Sequence, residues 1–102
     1  MRRYEILLPA RFNDGQTVPE GLVAETLVDL ETQFGAVSCE SQTIHGLWQT
    51  EGVRFRDDLM RIFVDAPDTA DTRQFFINFK GVLKVRFKQL EIWVTTYPID
   101  VL

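Results

Sequence analysis

His45 is the chain's single histidine and Cys39 its single cysteine, and acidic residues lie close to both, with Glu40 next to the cysteine and Asp57-Asp58 downstream. An imidazole held by a carboxylate is a frequent general base near neutral pH. In a hairpin of simple register His45 falls opposite Asp58, and that pair could do acid–base work. On an exposed strand the same histidine is only a polar surface residue. Cys39, Glu40, Asp57 and Asp58 are the only groups that could join His45 on a metal, and no recognised ligand spacing connects them, so no metal site is expected. Cys39 has no neighbouring cation to lower its thiol pKa, and Glu40 acts to raise it, which suits a structural cysteine better than a nucleophile.

A second group of polar residues could hold a small ligand. The loop from Pro9 to Val18 carries Arg11, Asn13 and Asp14, and the turn at Glu51-Gly52 is followed by Arg54. If both lie at one end of a sheet, these five side chains approach each other. Solvated loop charges have the same composition, so the pattern locates a place rather than an activity.

Charge excludes some partners. The 102 residues hold 15 acidic and 11 basic groups, a net charge of −4, with no basic stripe, so no nucleic-acid partner is expected. Arg2-Arg3 is followed by an apolar run that Pro9 breaks too soon for a signal peptide, no stretch approaches a membrane span, and a lone cysteine suits a reducing compartment. A cytoplasmic protein without a membrane partner is the expectation. Apolar residues make up 45% of the chain, enough to build one core without disulfide or metal.

The elements that must position these groups are legible in turn. Tyr4–Leu8 is an almost wholly apolar run ended by Pro9, as in a central strand. Asn13-Asp14-Gly15 marks a turn, and Thr17 to Glu20 has the spacing of a capping box for a helix over 19–34, with Val23, Leu27, Leu30 and Phe34 on one stripe and Gly35 as its left-handed stop. Residues 38–50 then read as one strand, Glu51-Gly52 as a two-residue loop, and 53–64 as the returning strand, with Trp48 across from Phe55. Val53 and Phe55 occupy odd positions whereas Met60, Ile62 and Val64 occupy even ones, and a bulge near Arg56-Asp57-Asp58 would reconcile them. Asp68 or Thr69 caps a second helix, whose buried stripe runs Phe76, Phe79, Leu83, Phe87 and Leu90, with Gly81 inside it as a place where another backbone could approach. Glu91–Tyr97 is the closing strand.

Strand–helix–strand–strand–helix–strand order predicts one ferredoxin-like α+β domain over residues 1–102, a βαββαβ sandwich with a four-stranded antiparallel sheet and two helices on one face. Alternation puts Leu7 and Ile6, Phe63 and Ile62, and Trp93 and Ile92 on opposite faces of their strands, so the face without helices carries bulky apolar groups. A homodimer through that face would cover it, with Phe63 and Trp93 inside and the apolar tail Val101-Leu102 against the partner.

Three named relatives of this topology fail on their motifs. Gly52-Val53-Arg54-Phe55-Arg56 is similar to the anion-cradling loop of acylphosphatases, but that loop follows the first strand and opens a helix, whereas this one lies in the middle hairpin. RNA-recognition domains stack bases on aromatics of the first and third strands, and Tyr4 and Phe63 stand here without the basic consensus. The CxxC of metal-transport domains is absent.

The stretches RYEILLPARFNDG, GLWQTEGVRFRDDLMRIFVD and EIWVTTYPI resemble a group of short bacterial proteins of unassigned function, and together they make up about two fifths of the chain. More distantly the chain is similar to dimeric α/β-barrel proteins, which include small monooxygenases and isomerases, and to amino-acid-sensing regulatory domains. The resemblance implies a fold and brings no catalytic residues. Two functions follow as expectations. The first is a homodimeric module binding a partner or small molecule, without a cofactor. The second is a cofactor-free enzyme of the dimeric barrel type, recognisable by a pocket lined by Trp48, Phe63 and Trp93 with His45 or Asp58 pointing in.

Overall fold

The computed structural model describes residues 1–40 and 42–102. Its elements are β1 (Arg2–Pro9), α1 (Glu20–Phe34), β2 (Ser38–Cys39), β3 (Ile44–Thr50), β4 (Val53–Ala66), α2 (Ala70–Arg86) and β5 (Trp93–Pro98). The antiparallel sheet runs β2-β4-β1-β5, with β3 on the same side of β4 as β2. This is the ferredoxin-like order with five strands instead of four. The expected strand over 38–50 is divided into Ser38–Cys39 and Ile44–Thr50, and Ser41 lies outside the described residues.

The pairing shows where the break falls. From Cys39↔Ile62 to Ile44↔Leu59 the edge advances five residues while β4 advances three, so two extra residues are taken up on the edge. β4 itself runs without interruption and keeps one register against β3 from Thr50↔Val53 to Ile44↔Leu59. The bulge expected near Arg56-Asp57-Asp58 is therefore absent. Strict alternation instead sends Val53 and Phe55 to the side opposite Met60 and Ile62. No core compels them inward, because this half of β4 extends past the helices as a two-stranded arm.

The arm lengthens the molecule to 42 Å along its major axis, against 29 and 25 Å across. At its tip Glu51 and Gly52 adopt φ of 50° and 76°, the paired positive values of a two-residue hairpin turn. Trp48 and Phe55 stack across the ribbon with ring centroids 4.3 Å apart, and the Trp48 Nε1–H donates to Asp57 at 2.7 Å.

The core lies on the other side of the body. Tyr4, Ile6 and Leu8 of β1 and Ile62, Val64 and Ala66 of β4 meet Leu30 of α1 and Phe76, Phe79 and Leu83 of α2, with Phe87 and Ile92 closing the end. The Tyr4 ring stacks on Phe76 at 4.1 Å, and Phe34 stacks on the same ring at 5.2 Å. Arg86 ties the helices together by donating to the buried Thr26 hydroxyl at 2.9 Å and to Asp29 at 2.8 Å.

Local signals fared unevenly. Thr69 caps α2 by accepting from the Thr72 amide, and Gly35 ends α1 at φ 84°. The capping box at the start of α1 does not form, because the helix begins at Glu20 behind Pro19 and Thr17 instead bridges Arg11 within the loop. Leu90 is 94% exposed, since α2 ends at Arg86 and the chain turns away through Lys88 at φ 55°. No atom lies within 4 Å of a side chain added at Gly81, so no backbone approaches there.

Candidate functional site

Two groups of polar side chains stand out, on opposite sides of the sheet. The first is at the base of the arm. His45 and Asp58 are directly paired residues, and the ring Nδ1–H donates to Asp58 Oδ1 at 2.8 Å. That bond, with Arg56 and Arg11 nearby, holds the Asp58 carboxyl below the usual aspartate range. His45 is mostly exposed, its side chain 62% accessible. A carboxylate–imidazole pair of this kind orients one ring nitrogen and leaves the other free to accept a proton.

The loop residues are distributed along the arm rather than gathered. Arg11 lies at the level of Asp58, where the Ala10 amide donates to the Asp58 carbonyl at 2.9 Å. Arg54 is four residues farther along β4, about 13 Å at the usual strand rise, and Glu51 is beyond it at the tip. The Asp14 carboxylate accepts from the Gln16 amide at 2.9 Å, and Arg11 donates to the Gly15 carbonyl at 3.3 Å. Asn13 is exposed. Cys39 is exposed on β2 with its sulfur 3.4 Å from Met60 Sδ, and desolvation followed by Glu40 pushes its thiol pKa up. Its chemistry is that of an edge residue.

The second group occupies the helix-free face. Odd-numbered residues of β1, β4 and β5 point there, bringing Arg3, Glu5 and Leu7 beside Leu59, Arg61, Phe63 and Asp65 and beside Trp93, Thr95 and Tyr97. Arg3 and Asp65 form a two-pronged pair at 2.7 and 3.0 Å. The pairing lowers the Asp65 pKa and raises that of Arg3. The Arg3 guanidinium also lies over the Phe63 ring, 4.4 Å from its centroid. Glu5 accepts from the Tyr97 hydroxyl at 2.8 Å and faces Arg61 at 3.9 Å, while Arg61 also reaches Glu40 at 3.3 Å. The buried Arg61 Nε makes no hydrogen bond.

This face is both apolar and charged. Trp93 is 63% exposed and Tyr97 42%, and the tail residues Val101 and Leu102 are open. The sequence expectation placed Phe63 and Trp93 here but missed the charged centre. Its signal was present in the alternation Arg3, Glu5, Leu7 along β1, which sets polar groups on the side away from Tyr4, Ile6 and Leu8.

Concave space is modest. One apolar groove of about 380 Å³ lies against Val18, Val23, Leu27 and Met60, and another of about 190 Å³ lies between α2 and β5. Neither is lined by Trp48, Phe63, Trp93 or His45. Among the described residues no cluster of His, Cys, Asp or Glu has the geometry to hold a metal, and no helix is long and apolar enough to cross a membrane.

No family model matches this chain, and no curated protein does. Two solved structures share the fold. A phage SAM lyase in complex with S-methyl-5'-thioadenosine superposes with a TM-score of 0.72 at 15% identity, covering 94% of this chain and 79% of that one. A phage SAM lyase in the apo state gives 0.65 at 16% identity, covering 94% and 78%.

Proposed function

We propose that this chain is the subunit of a homodimeric small-ligand-binding protein whose site lies on the helix-free sheet face. The observation behind this reading is the mixed character of that face. Exposed Trp93 and Tyr97 form too bulky an aromatic surface to suit a lone monomer, yet Arg3, Glu5, Arg61 and Asp65 form too charged a centre for a dry contact. A pair of subunits covering the rim and enclosing a polar ligand satisfies both. Glu5, oriented by Tyr97, and the ring faces of Trp93 and Tyr97 suit a ligand with a cationic centre and a flat heterocycle. The sulfonium nucleoside S-adenosylmethionine has that chemistry, and S-methyl-5'-thioadenosine, which the phage SAM lyase of the same fold holds, shares its heterocycle as a neutral thioether.

A second reading, a cofactor-free enzyme acting on S-adenosylmethionine, draws on that same likeness. His45 and Asp58 lie on the other side of the sheet, so in one subunit they do not serve this face. The charged centre would then act by orienting and desolvating the substrate rather than by proton transfer.

Light scattering at micromolar concentration, joined to calorimetric titration with S-adenosylmethionine, tests both parts. The expected result is a dimer that binds the nucleoside, and a Trp93→Glu variant that is monomeric and loses binding. A wild-type monomer that binds nothing sinks the proposal. Release of S-methyl-5'-thioadenosine from S-adenosylmethionine separates the readings: a binding dimer without turnover eliminates the enzyme and leaves the binding protein.

A further inference from the structure

Tyr4 is 3% exposed, and its hydroxyl is buried without a hydrogen-bond partner among the described residues. A buried donor left in this state destabilises the fold. Its ring forms part of the groove of about 190 Å³ between α2 and β5, on the opposite side of the sheet from the face considered above. Phe76, Val94 and Thr96 complete the inner wall. At the rim stand two cations of α2, Arg73 and Lys80, one on each side of Ile77.

These cations are not equivalent. Lys80 is engaged by Glu91 at 3.0 Å, whereas Arg73 forms no ion pair among the described residues. Thr96 receives a long contact of 3.5 Å from Arg2, and its own hydroxyl proton remains free to donate. The groove thus combines an unpaired guanidinium, apolar walls, a hydroxyl donor at Thr96 and the orphaned phenol of Tyr4.

We propose that this groove binds a small carboxylate with an apolar body. The planar fork of Arg73 takes the carboxylate through paired charge-assisted hydrogen bonds, while Lys80 stays with Glu91. The body lies against Phe76, Ile77 and Val94, and a second lone pair of the inward carboxylate oxygen accepts from the Tyr4 hydroxyl. This site is separate from the helix-free face, so either can fail without the other.

Sodium benzoate is a suitable probe, with acetate as the control for charge without a body. In isotope-labelled protein the amide signals of Ile77, Val94 and Thr96 are expected to shift and saturate at millimolar benzoate. Arg73→Gln, a change on the exposed side of α2, should weaken binding roughly tenfold. Tyr4→Phe should weaken binding and yet raise the melting temperature of the free protein, because it removes an unpartnered buried hydroxyl. A purely structural hydroxyl would lower the melting temperature instead, and that outcome overturns the proposal. So do shifts that fail to saturate, indifference to Arg73→Gln, or acetate binding as tightly as benzoate.

Discussion

The body and the arm are built from the same strand, and they are held together by different physics. The inner half of β4, from Leu59 to Ala66, pairs on both edges, with β1 on one and the β2/β3 edge on the other, and its even-numbered side chains are covered by two helices. The outer half, from Val53 to Asp58, pairs with β3 and has no helix above it. A lone two-stranded ribbon is marginal in water. The arm therefore depends on cross-strand pairs, namely the Trp48–Phe55 stack, the Trp48–Asp57 hydrogen bond and the His45–Asp58 contact. Substitutions in the two regions should differ in magnitude and in whether the whole protein or one segment responds.

The largest effect belongs to the body. Phe87 is fully buried at the end of α2, and Phe87→Ala should destabilise the protein by about 3–5 kcal/mol in chemical denaturation, with one cooperative transition. A loss below about 1 kcal/mol would show that the site collapses readily and that the core is less specific than its packing indicates. Next comes Arg86→Ala. It leaves the buried Thr26 hydroxyl with its own donation to the Leu22 carbonyl but removes the guanidinium bonded to it and to Asp29. The expected cost is about 1.5–3 kcal/mol, from hydrogen bonds made by a charged donor. An unchanged midpoint would mean that the helices hold their places through apolar contact alone.

The contrast between the regions also explains what the residues disclosed in advance. In the body, burial made the pattern decisive: Tyr4, Ile6 and Leu8 and the Phe76–Phe79–Leu83–Phe87 stripe all follow from sides that must face one core. In the arm the same rule misled. Val53 and Phe55 change parity relative to Met60, which demands a bulge only if every large apolar residue must reach one core. An aromatic ribbon outside the helix layer has no such obligation, and the register stays simple. With no bulge in β4, His45 meets Asp58, a contact that a bulged strand would have displaced. The break between β2 and β3 left no comparable mark, since an edge strand that pairs on one side can take up two residues without disturbing any inward alternation. On the helix-free face the apolar members Phe63 and Trp93 were evident, while the Arg3–Asp65 and Arg61–Glu5–Glu40 contacts join residues far apart in sequence and needed the strand register to appear.

Acid should sharpen the comparison by acting on both regions through different carboxylates. Asp65 in the body is held below the usual range by the Arg3 hydrogen bonds, and Asp58 at the arm by the bond from His45. A carboxyl whose folded pKa is depressed stabilises the fold fully above its unfolded pKa and loses that contribution as pH falls through the folded value. Stability should therefore hold above about pH 5 and decline below the ordinary aspartate range near 4. Amide hydrogen exchange across that range should show the arm, from Leu47 to Phe55, losing protection before β1 does. Simultaneous loss would indicate that the arm and body open as one unit.

The smallest expected effect tests whether the arm is independent at all. Trp48→Ala removes the stack on Phe55 and the donor to Asp57 but touches no core residue. In an isolated subunit the cost to global stability should be at most about 1 kcal/mol, the scale of one cross-strand aromatic pair. Amide protection should fall in residues 47–55 and stay unchanged at Tyr4–Leu8. If the melting temperature instead drops as far as in Phe87→Ala, the arm cannot be a free ribbon. The loss should then depend on protein concentration, because a partner subunit would be supplying the third strand or covering surface that a stable ribbon lacks. A large loss independent of concentration would overturn the division into body and arm, since it would require coupling within a single chain that the register and the core do not provide.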